Sequence, residues 1–77
     1  MKIVSCNLNG IRSAHRKGFF DWYKKQKCDV LCIQELKAQE DQIDVKSMFS
    51  KNIHSYFKCA AKKGYSGVSI HTKIKPD

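Results

Sequence analysis

The sequence predicts an α/β fold, and three stretches carry that prediction. Residues 30–33 are four apolar side chains in succession, which is typical of a central strand covered on both faces. Residues 2–6 form another strand pattern, with the β-branched Ile3 and Val4. A helical pattern lies between the two strands. A strand, a helix and a second buried strand predict a right-handed βαβ unit, in which the two strands run parallel.

The first strand ends at the sequence Asn-Leu-Asn-Gly, residues 7–10. This is a turn signature in which Gly10 is free to take a positive φ. The helix is expected to begin at Ile11 or at Gly18 and to end near Lys27. Its apolar face would carry Phe19, Tyr23 and either Phe20 or Trp22, with Lys24, Lys25 and Lys27 on the opposite face.

The second strand covers residues 30–34, and Glu35 follows at its carboxyl end. Ligands of open α/β sheets bind in the crevice beyond the strand ends. Glu35 is therefore a candidate site residue. The competing interpretation is a carboxylate that ends the strand and faces water.

The remainder of the chain predicts a short helix over residues 39–43, packing contacts at Met48 and Phe49, and a β-hairpin. The hairpin strands would cover residues 53–61 and 68–73, joined around residues 62–67. In the second strand the apolar Val68, Ile70 and Thr72 alternate with Ser69, His71 and Lys73, so we expect the second set to form the wetter face. The three histidines, His15, His54 and His71, are expected at the surface or at an edge.

Composition sets limits on the protein class. The chain has 77 residues, enough for at most one small domain, and a formal net charge of +8, which favours a polyanionic partner. No apolar run approaches the ~20 residues needed to cross a bilayer, and the N-terminus does not resemble a signal peptide. We therefore expect a cytoplasmic protein without a membrane partner. The cysteines lack zinc-ligand spacing, so reduced, mostly buried thiols are expected at Cys6, Cys28, Cys32 and Cys59.

Two parallel strands deliver their carboxyl ends to the same edge of a sheet. That edge would collect Asn7, Asn9, Glu35 and Lys37, with Arg12 close in sequence. Carboxylate and amide oxygens suit a hard cation such as Mg²⁺, which tolerates few protein ligands and keeps several waters. One glutamate and one asparagine make a sparse site, sufficient only if substrate phosphate and other residues complete it.

Three sequence blocks resemble a known family: SCNLNGIR at residues 5–12, DVLCIQELK at 29–37 and KGYSGV at 63–68. In order and spacing they are similar to the first signature blocks of exodeoxyribonuclease III and the apurinic/apyrimidinic endonucleases of base-excision repair. Cys6 stands where relatives usually have an aromatic residue, and Leu36 where threonine is common. The resemblance implies the N-terminal part of a DNase I-like four-layer α/β sandwich, with residues 1–77 as a single incomplete domain.

The resemblance also implies Mg²⁺-dependent phosphodiester hydrolysis, with Mn²⁺ as an alternative metal, on double-stranded DNA at abasic sites and 3′ ends. Asn7 and Glu35 match the catalytic and metal-binding residues, and Asn9 and Lys37 the supporting shell. The expected DNA contacts are Arg12, Ser13, Lys17, Gly64 and Tyr65. Each has an ordinary alternative: Asn7 as a turn former, the cations as solvated side chains, and Tyr65 as a hairpin aromatic.

Related enzymes complete the site with later residues: a tyrosine, an aspartate with a nearby asparagine, another aspartate and a C-terminal histidine. These have no counterpart within residues 1–77, so we expect the chain alone to be inactive and to need the missing C-terminal part of the same domain. An uncovered sheet edge and apolar face would favour poor solubility or association, although the complete enzyme is not expected to be oligomeric. The alternatives are a small basic nucleic-acid-binding module without catalysis and another phosphoesterase of the same superfamily, acting on RNA, phosphoinositides or sphingolipids.

Overall fold

A computed structural model describes residues 1–60 and 66–74 of the chain. In chain order the elements are β1 (Ile3–Asn7), α1 (Ile11–Arg16), α2 (Phe19–Gln26), β2 (Val30–Gln34), a 3-10 helix (Glu40–Gln42), α3 (Val45–Met48), β3 (His54–Cys59) and β4 (Gly67–Thr72).

The strands form one mixed sheet in the order β1-β2-β4-β3. β1 and β2 are parallel, with Ile3 opposite Val30 and Asn7 opposite Gln34. β4 is antiparallel to both β2 and β3. The predicted βαβ unit, the central position of β2 and the antiparallel pairing of the last two strands are therefore confirmed. Residues 61–65, which include most of the predicted hairpin connection, lie outside the described part of the chain.

The single predicted helix is in fact two. Gly18 lies between α1 and α2 with a φ of 89°, a left-handed conformation that ends one helix and redirects the chain into the next. Of the two alternatives for the apolar face of α2, the structure shows Phe20: Phe20 and Tyr23 are buried, whereas Trp22 is 48% exposed. The positive φ that glycine allows at residue 18 thus interrupts the helix, although the helical sequence pattern is nearly continuous across this position.

The helices pack on one face of the sheet only. Leu31 and Ile33 point from β2 into this core, together with Ile11, Phe20 and Phe49 from the helical layer. Phe49 and the neighbouring Met48 are both buried, as predicted. Fully buried aliphatic and aromatic side chains contribute ~1.5–3 kcal/mol each through removal from water, so this layer supplies most of the stability.

The opposite face of the sheet is largely uncovered in the described structure. Its apolar members, here called the open face, include Ile3, which is 61% exposed, and Val68 and Ile70, each 47% exposed. Val30 and Cys32 of β2 reach only intermediate burial, so the prediction that β2 is covered on both faces is wrong for this side. The open face consists of Ile3, Val30, Cys32, Tyr56, Val68 and Ile70.

β4 faces the opposite way from the prediction. Ser69 and His71 are buried against the helical layer, and Val68 and Ile70 are on the open face. His71 is 1% exposed, so its expected surface or edge position is wrong. The reason is a local hydrogen-bonded cluster: the imidazole Nε2 lies 2.7 Å from the Ser69 hydroxyl and Nδ1 lies 2.8 Å from the Ser55 hydroxyl.

The ring of His71 also stacks on Phe49, with the centroids 3.8 Å apart and the planes inclined by 15°. Because both ring nitrogens have partners, burial leaves no polar atom unsatisfied. Removal from water lowers the pKa of His71 to about 4, so the ring is neutral at pH 7. The two polar residues Ser69 and His71 can therefore occupy the core side of β4.

All four cysteines are free thiols, of which only Cys28 is buried and the others are half-buried. Burial, and then the proximity of Cys28 and Cys32, raises the pKa of the Cys6 thiol. The expected reduced state thus has a physical basis, because a protonated thiol is a poor nucleophile and metal ligand. Within residues 1–60 and 66–74, no helix is long and apolar enough to cross a membrane.

Candidate functional site

The loops that follow β1 and β2 are joined by backbone hydrogen bonds. The amide of Gly10 donates to the carbonyl of Glu35 and the amide of Ile11 to that of Leu36, both at 2.9 Å. These hydrogen bonds link the two loops just beyond the carboxyl ends of the strands. They also bring the polar residues of the two loops to one rim of the sheet.

Asn7 and Glu35 meet at this rim. The side-chain amide of Asn7 donates a hydrogen bond to a carboxylate oxygen of Glu35. The amide oxygen of Asn7 accepts a hydrogen bond from the backbone amide of Asn9 at 2.9 Å. Asn7 therefore stabilises the turn through its oxygen and contacts Glu35 through its nitrogen.

Lys37 completes the cluster from the second loop. Its ammonium group donates to the side-chain oxygen of Asn9, so a cation from the β2 loop is tied to the β1 loop. The four residues predicted to gather at the rim are thus brought together by three side-chain hydrogen bonds.

The backbone at the rim is held in an uncommon conformation. Asn9, Glu35 and Lys37 have φ values of 48°, 54° and 51°. Non-glycine residues in the left-handed region cost about 1 kcal/mol each and concentrate at functional sites, where the surrounding structure imposes them. At Glu35 the cost is offset in part by the hydrogen bond that its carbonyl accepts from the Gly10 amide, and its carboxylate contacts Asn7 at the rim.

A cationic cavity of about 350 Å³ opens next to this cluster. Of the predicted DNA contacts, Arg12 and Ser13 line it and Lys17 lies beyond it, exposed at the end of α1. Gly64 and Tyr65 fall outside the described residues. The lining residues are Gly10, Arg12, Ser13, Arg16 and Lys37.

Arg16 and Gly10 were missed by the sequence reasoning. Arg12 and Arg16 are four residues apart on α1, a spacing that places both guanidinium groups on the same helical face. That spacing was the available signal for Arg16. Guanidinium groups at the mouth of a cavity suit bidentate binding of phosphate.

The donor set at the rim fits a metal only in part. Glu35 offers a hard carboxylate oxygen, and the amide oxygen of Asn7 accepts one hydrogen bond, from the Asn9 backbone amide, which leaves its second lone pair. Among the residues that the structure describes, no group of three or more His, Cys, Asp and Glu side chains could hold a metal ion. The side-chain nitrogen of Asn7 contacts Glu35, and the role of Asn7 as a metal ligand stays a prediction.

Comparisons with known proteins identify the family of the chain. A sequence model of the Endonuclease/Exonuclease/phosphatase family matches residues 4–77. The chain is similar to the exodeoxyribonuclease of Bacillus subtilis, 39% identical over 99% of this chain and 29% of the relative. It is also similar to the DNA-(apurinic or apyrimidinic site) endonuclease of Dictyostelium discoideum, 39% identical over all of this chain and 21% of the relative.

The structure of an AP endonuclease from Archaeoglobus fulgidus superimposes with a TM-score of 0.83 at 31% identity, over all of this chain and 29% of that one. The described fold is thus a mixed α/β piece of the DNase I-like architecture found in these structural neighbours. The family is generally dependent on divalent metal ions. The chain spans less than a third of the length of these relatives.

The family match over residues 4–77 and the similarity to exodeoxyribonucleases and AP endonucleases lead to one conclusion: the chain belongs to the Endonuclease/Exonuclease/phosphatase family.

Proposed function

We propose that this chain forms the N-terminal part of the catalytic domain of a DNA-repair nuclease, which hydrolyses phosphodiesters in duplex DNA beside abasic sites and at 3′ ends. The observation that carries the proposal is the hydrogen-bonded pair of Asn7 and Glu35 beside the cavity lined by Arg12, Arg16 and Lys37. A carboxylate that could hold a metal ion and cations that could bind phosphate lie on one rim, and these are two of the elements that hydrolysis of a phosphodiester uses. The similarity to an exodeoxyribonuclease and to an AP endonuclease supports DNA as the substrate.

In this proposal Glu35 is the carboxylate ligand of a Mg²⁺ ion, or of Mn²⁺, whose role is to polarise a phosphoryl oxygen and stabilise charge on the leaving 3′ oxygen. Asn7 orients Glu35 through its amide and keeps the acid at the rim. Lys37 fixes Asn9, and so the shape of the turn, through its hydrogen bond to the side-chain oxygen. Arg12, Ser13 and Arg16 hold the phosphate backbone, which positions DNA without reading its bases. Lys17, Gly64 and Tyr65 are assigned further backbone contacts.

The chain alone is proposed to be inactive. Among the described residues the rim holds one carboxylate, and a metal-bound Glu35 is poorly placed to activate the attacking water as well. The missing groups would come from the C-terminal part of the same domain, which is the proposed partner together with DNA. A monomeric complete enzyme in the cytoplasm is part of the proposal.

The test is a chimera in which residues 1–77 replace the matching N-terminal part of the Bacillus subtilis exodeoxyribonuclease. We expect the chimera to cleave an abasic-site duplex with Mg²⁺, residues 1–77 alone to be inactive, and Glu35→Gln to reduce chimera activity by about 100-fold or more. Glu40→Gln is the matched control, because Glu40 is exposed on the 3-10 helix. Cleavage by residues 1–77 alone, or an active Glu35→Gln chimera, would overturn the proposal.

The competing function is a small basic nucleic-acid-binding module, favoured by the net charge of +8 and the cationic cavity. It predicts salt-dependent duplex binding by residues 1–77 that EDTA and Glu35→Gln leave unchanged, together with an inactive chimera. A chimera that cleaves RNA or a phospholipid headgroup in preference to DNA would instead support another phosphoesterase activity.

A further inference from the structure

A second cavity, of about 360 Å³, lies at the other end of the sheet. It opens where β2 and β3 begin and where β4 ends, whereas Asn7 and Glu35 lie at the carboxyl ends of β1 and β2. A five-residue strand spans about 17 Å, so this cavity is separate from the rim site. Its lining residues are Tyr23, Lys24, Lys27, Cys28, Ser50, Asn52, Ile53 and Lys73.

The cavity is strongly cationic. Three of its lining residues, Lys24, Lys27 and Lys73, are lysines and none is acidic. The nearby carboxylate of Asp29 accepts a hydrogen bond from the backbone amide of Lys2 at 2.8 Å, so it is already engaged. Lys24 donates to the carbonyl of Ser47 at 3.1 Å, which uses one of its three ammonium hydrogens.

The lysines come from two different elements. Lys24 and Lys27 lie in the last turn and at the end of α2, where cations also offset the negative end of the helix dipole. Lys73 follows β4, and its backbone amide donates to the carbonyl of Asp29 at 3.0 Å. The dipole of α2 does not explain a cation at residue 73. The end of the helix alone therefore does not account for three lysines in the lining of one cavity.

One wall of the cavity is apolar. Tyr23 and Cys28 are buried and Ile53 is half-buried. Burial, and then the proximity of Cys28, raises the pKa of Tyr23, so its phenol is a neutral group at pH 7. The volume lies in the range of sites for small molecules, ~300–1,000 Å³. A cavity with an apolar wall and three lysines in its lining suits an anion that carries a flat or apolar moiety.

We propose that this cavity binds a small organic phosphate of the mononucleotide class. The phosphate lies between Lys27 and Lys73, and the base lies against Tyr23 and Ile53. The inference does not depend on the proposed nuclease function, because it uses none of the rim residues.

The test is a titration of ¹⁵N-labelled residues 1–77 with AMP, inorganic phosphate and adenosine in separate experiments, followed by amide chemical shifts. We expect AMP to shift the amides of Cys28, Asn52 and Ile53, with an affinity about tenfold higher than that of phosphate or adenosine. In the double variant Lys27→Gln/Lys73→Gln, AMP affinity at these amides should fall about tenfold. Lys25→Gln is the matched control, because Lys25 is an exposed lysine of the same helix that does not line the cavity.

Shifts at Gly10 and Ser13 report the rim cavity and serve as an internal reference, which the double variant should leave unchanged. The inference is overturned if AMP moves only the rim amides, or if Lys25→Gln weakens binding as much as the double variant does, since diffuse surface charge would then account for binding. Equal affinities for AMP and phosphate would also overturn it, because the apolar wall would then contribute nothing.

Discussion

The side-chain amide of Asn7 donates to the carboxylate of Glu35, and this single hydrogen bond joins the ends of two parallel strands. The two residues are 28 positions apart in the chain. The proposed nuclease requires the side chains of Asn7 and Glu35 to lie on the same side of the sheet, and the hydrogen bond between them shows that they do.

Replacing Asn7 with Asp should destabilise the fold at neutral pH. The new side chain keeps the oxygen that accepts from the Asn9 amide but places a second carboxylate against Glu35. We expect a loss of about 1 kcal/mol in the free energy of unfolding at pH 7. Urea denaturation of the variant and of the unmodified chain at pH 7 measures the difference.

Asn9→Asp is the control for that experiment. Its side-chain oxygen accepts from Lys37, so an added negative charge meets a cation and stability should be unchanged or slightly higher. A loss of stability in Asn9→Asp equal to that in Asn7→Asp would contradict the assigned contacts.

The left-handed backbone at Glu35 can be tested by comparing the stabilities of two substitutions at this position. At φ 54° an alanine retains the left-handed penalty and a glycine does not, so Glu35→Gly should be about 1 kcal/mol more stable than Glu35→Ala. At an ordinary position the order is reversed, because glycine loses more entropy on folding. Both variants remove the carboxylate, so the comparison isolates the backbone. A more stable Glu35→Ala would show that residue 35 is not held in this conformation.

The buried His71 predicts acid sensitivity. Its pKa is about 4 in the fold against 6.5 in the unfolded chain, so between these values the unfolded chain binds more protons. Stability should therefore fall as the pH drops from about 6.5 to about 4, and level off below that. The loss is at most ~3.5 kcal/mol, since each pH unit between the two pKa values contributes about 1.4 kcal/mol.

The measurement is chemical denaturation between pH 7.5 and 4. His71→Gln should be less stable at pH 7 and should lose most of the slope in the acid range. His54→Gln is the control, because His54 is only partly buried at the start of β3, and it should keep the slope. An unchanged slope in His71→Gln would assign the acid sensitivity to other groups.

The open face should drive association of the 77-residue chain. Ile70 is 47% exposed in the middle of this face, so Ile70→Lys should reduce self-association with little change in stability, as measured by sedimentation velocity and by urea denaturation. Ile33→Lys, on the covered face of β2, should instead prevent folding. If Ile70→Lys associates like the unmodified chain, the contact involves another surface.

The strand β2 and the position of Glu35 at its end could be predicted because both depend only on the local sequence. An uninterrupted apolar run followed by Glu35 needs no knowledge of the rest of the fold. The pairing of Asn7 with Glu35 required only that the two strands be parallel neighbours, which the intervening helical pattern already favoured.

The facing of β4 could not be predicted in the same way. Alternation shows that Ser69 and His71 share one face, but the usual rule then places the apolar Val68 and Ile70 inward. The partner that allows His71 to be buried is Ser55, 16 residues earlier on β3, and its position depends on a strand register that is known only in the folded chain. The uncovered apolar face was expected from the missing C-terminal part, but which residues of β4 lie on it was not.

The amide of Leu36 donates to the carbonyl of Gly67 at 3.1 Å, and a Cβ on Gly67 would lie 3.3 Å from the carbonyl oxygen of Lys58. The start of β4 is therefore anchored between the neighbouring strand β3 and the loop that carries the acid. An insertion or a bulky residue at this point would move Glu35 as well as the hairpin. In the proposed nuclease, sequence changes there should consequently alter turnover through the position of Glu35.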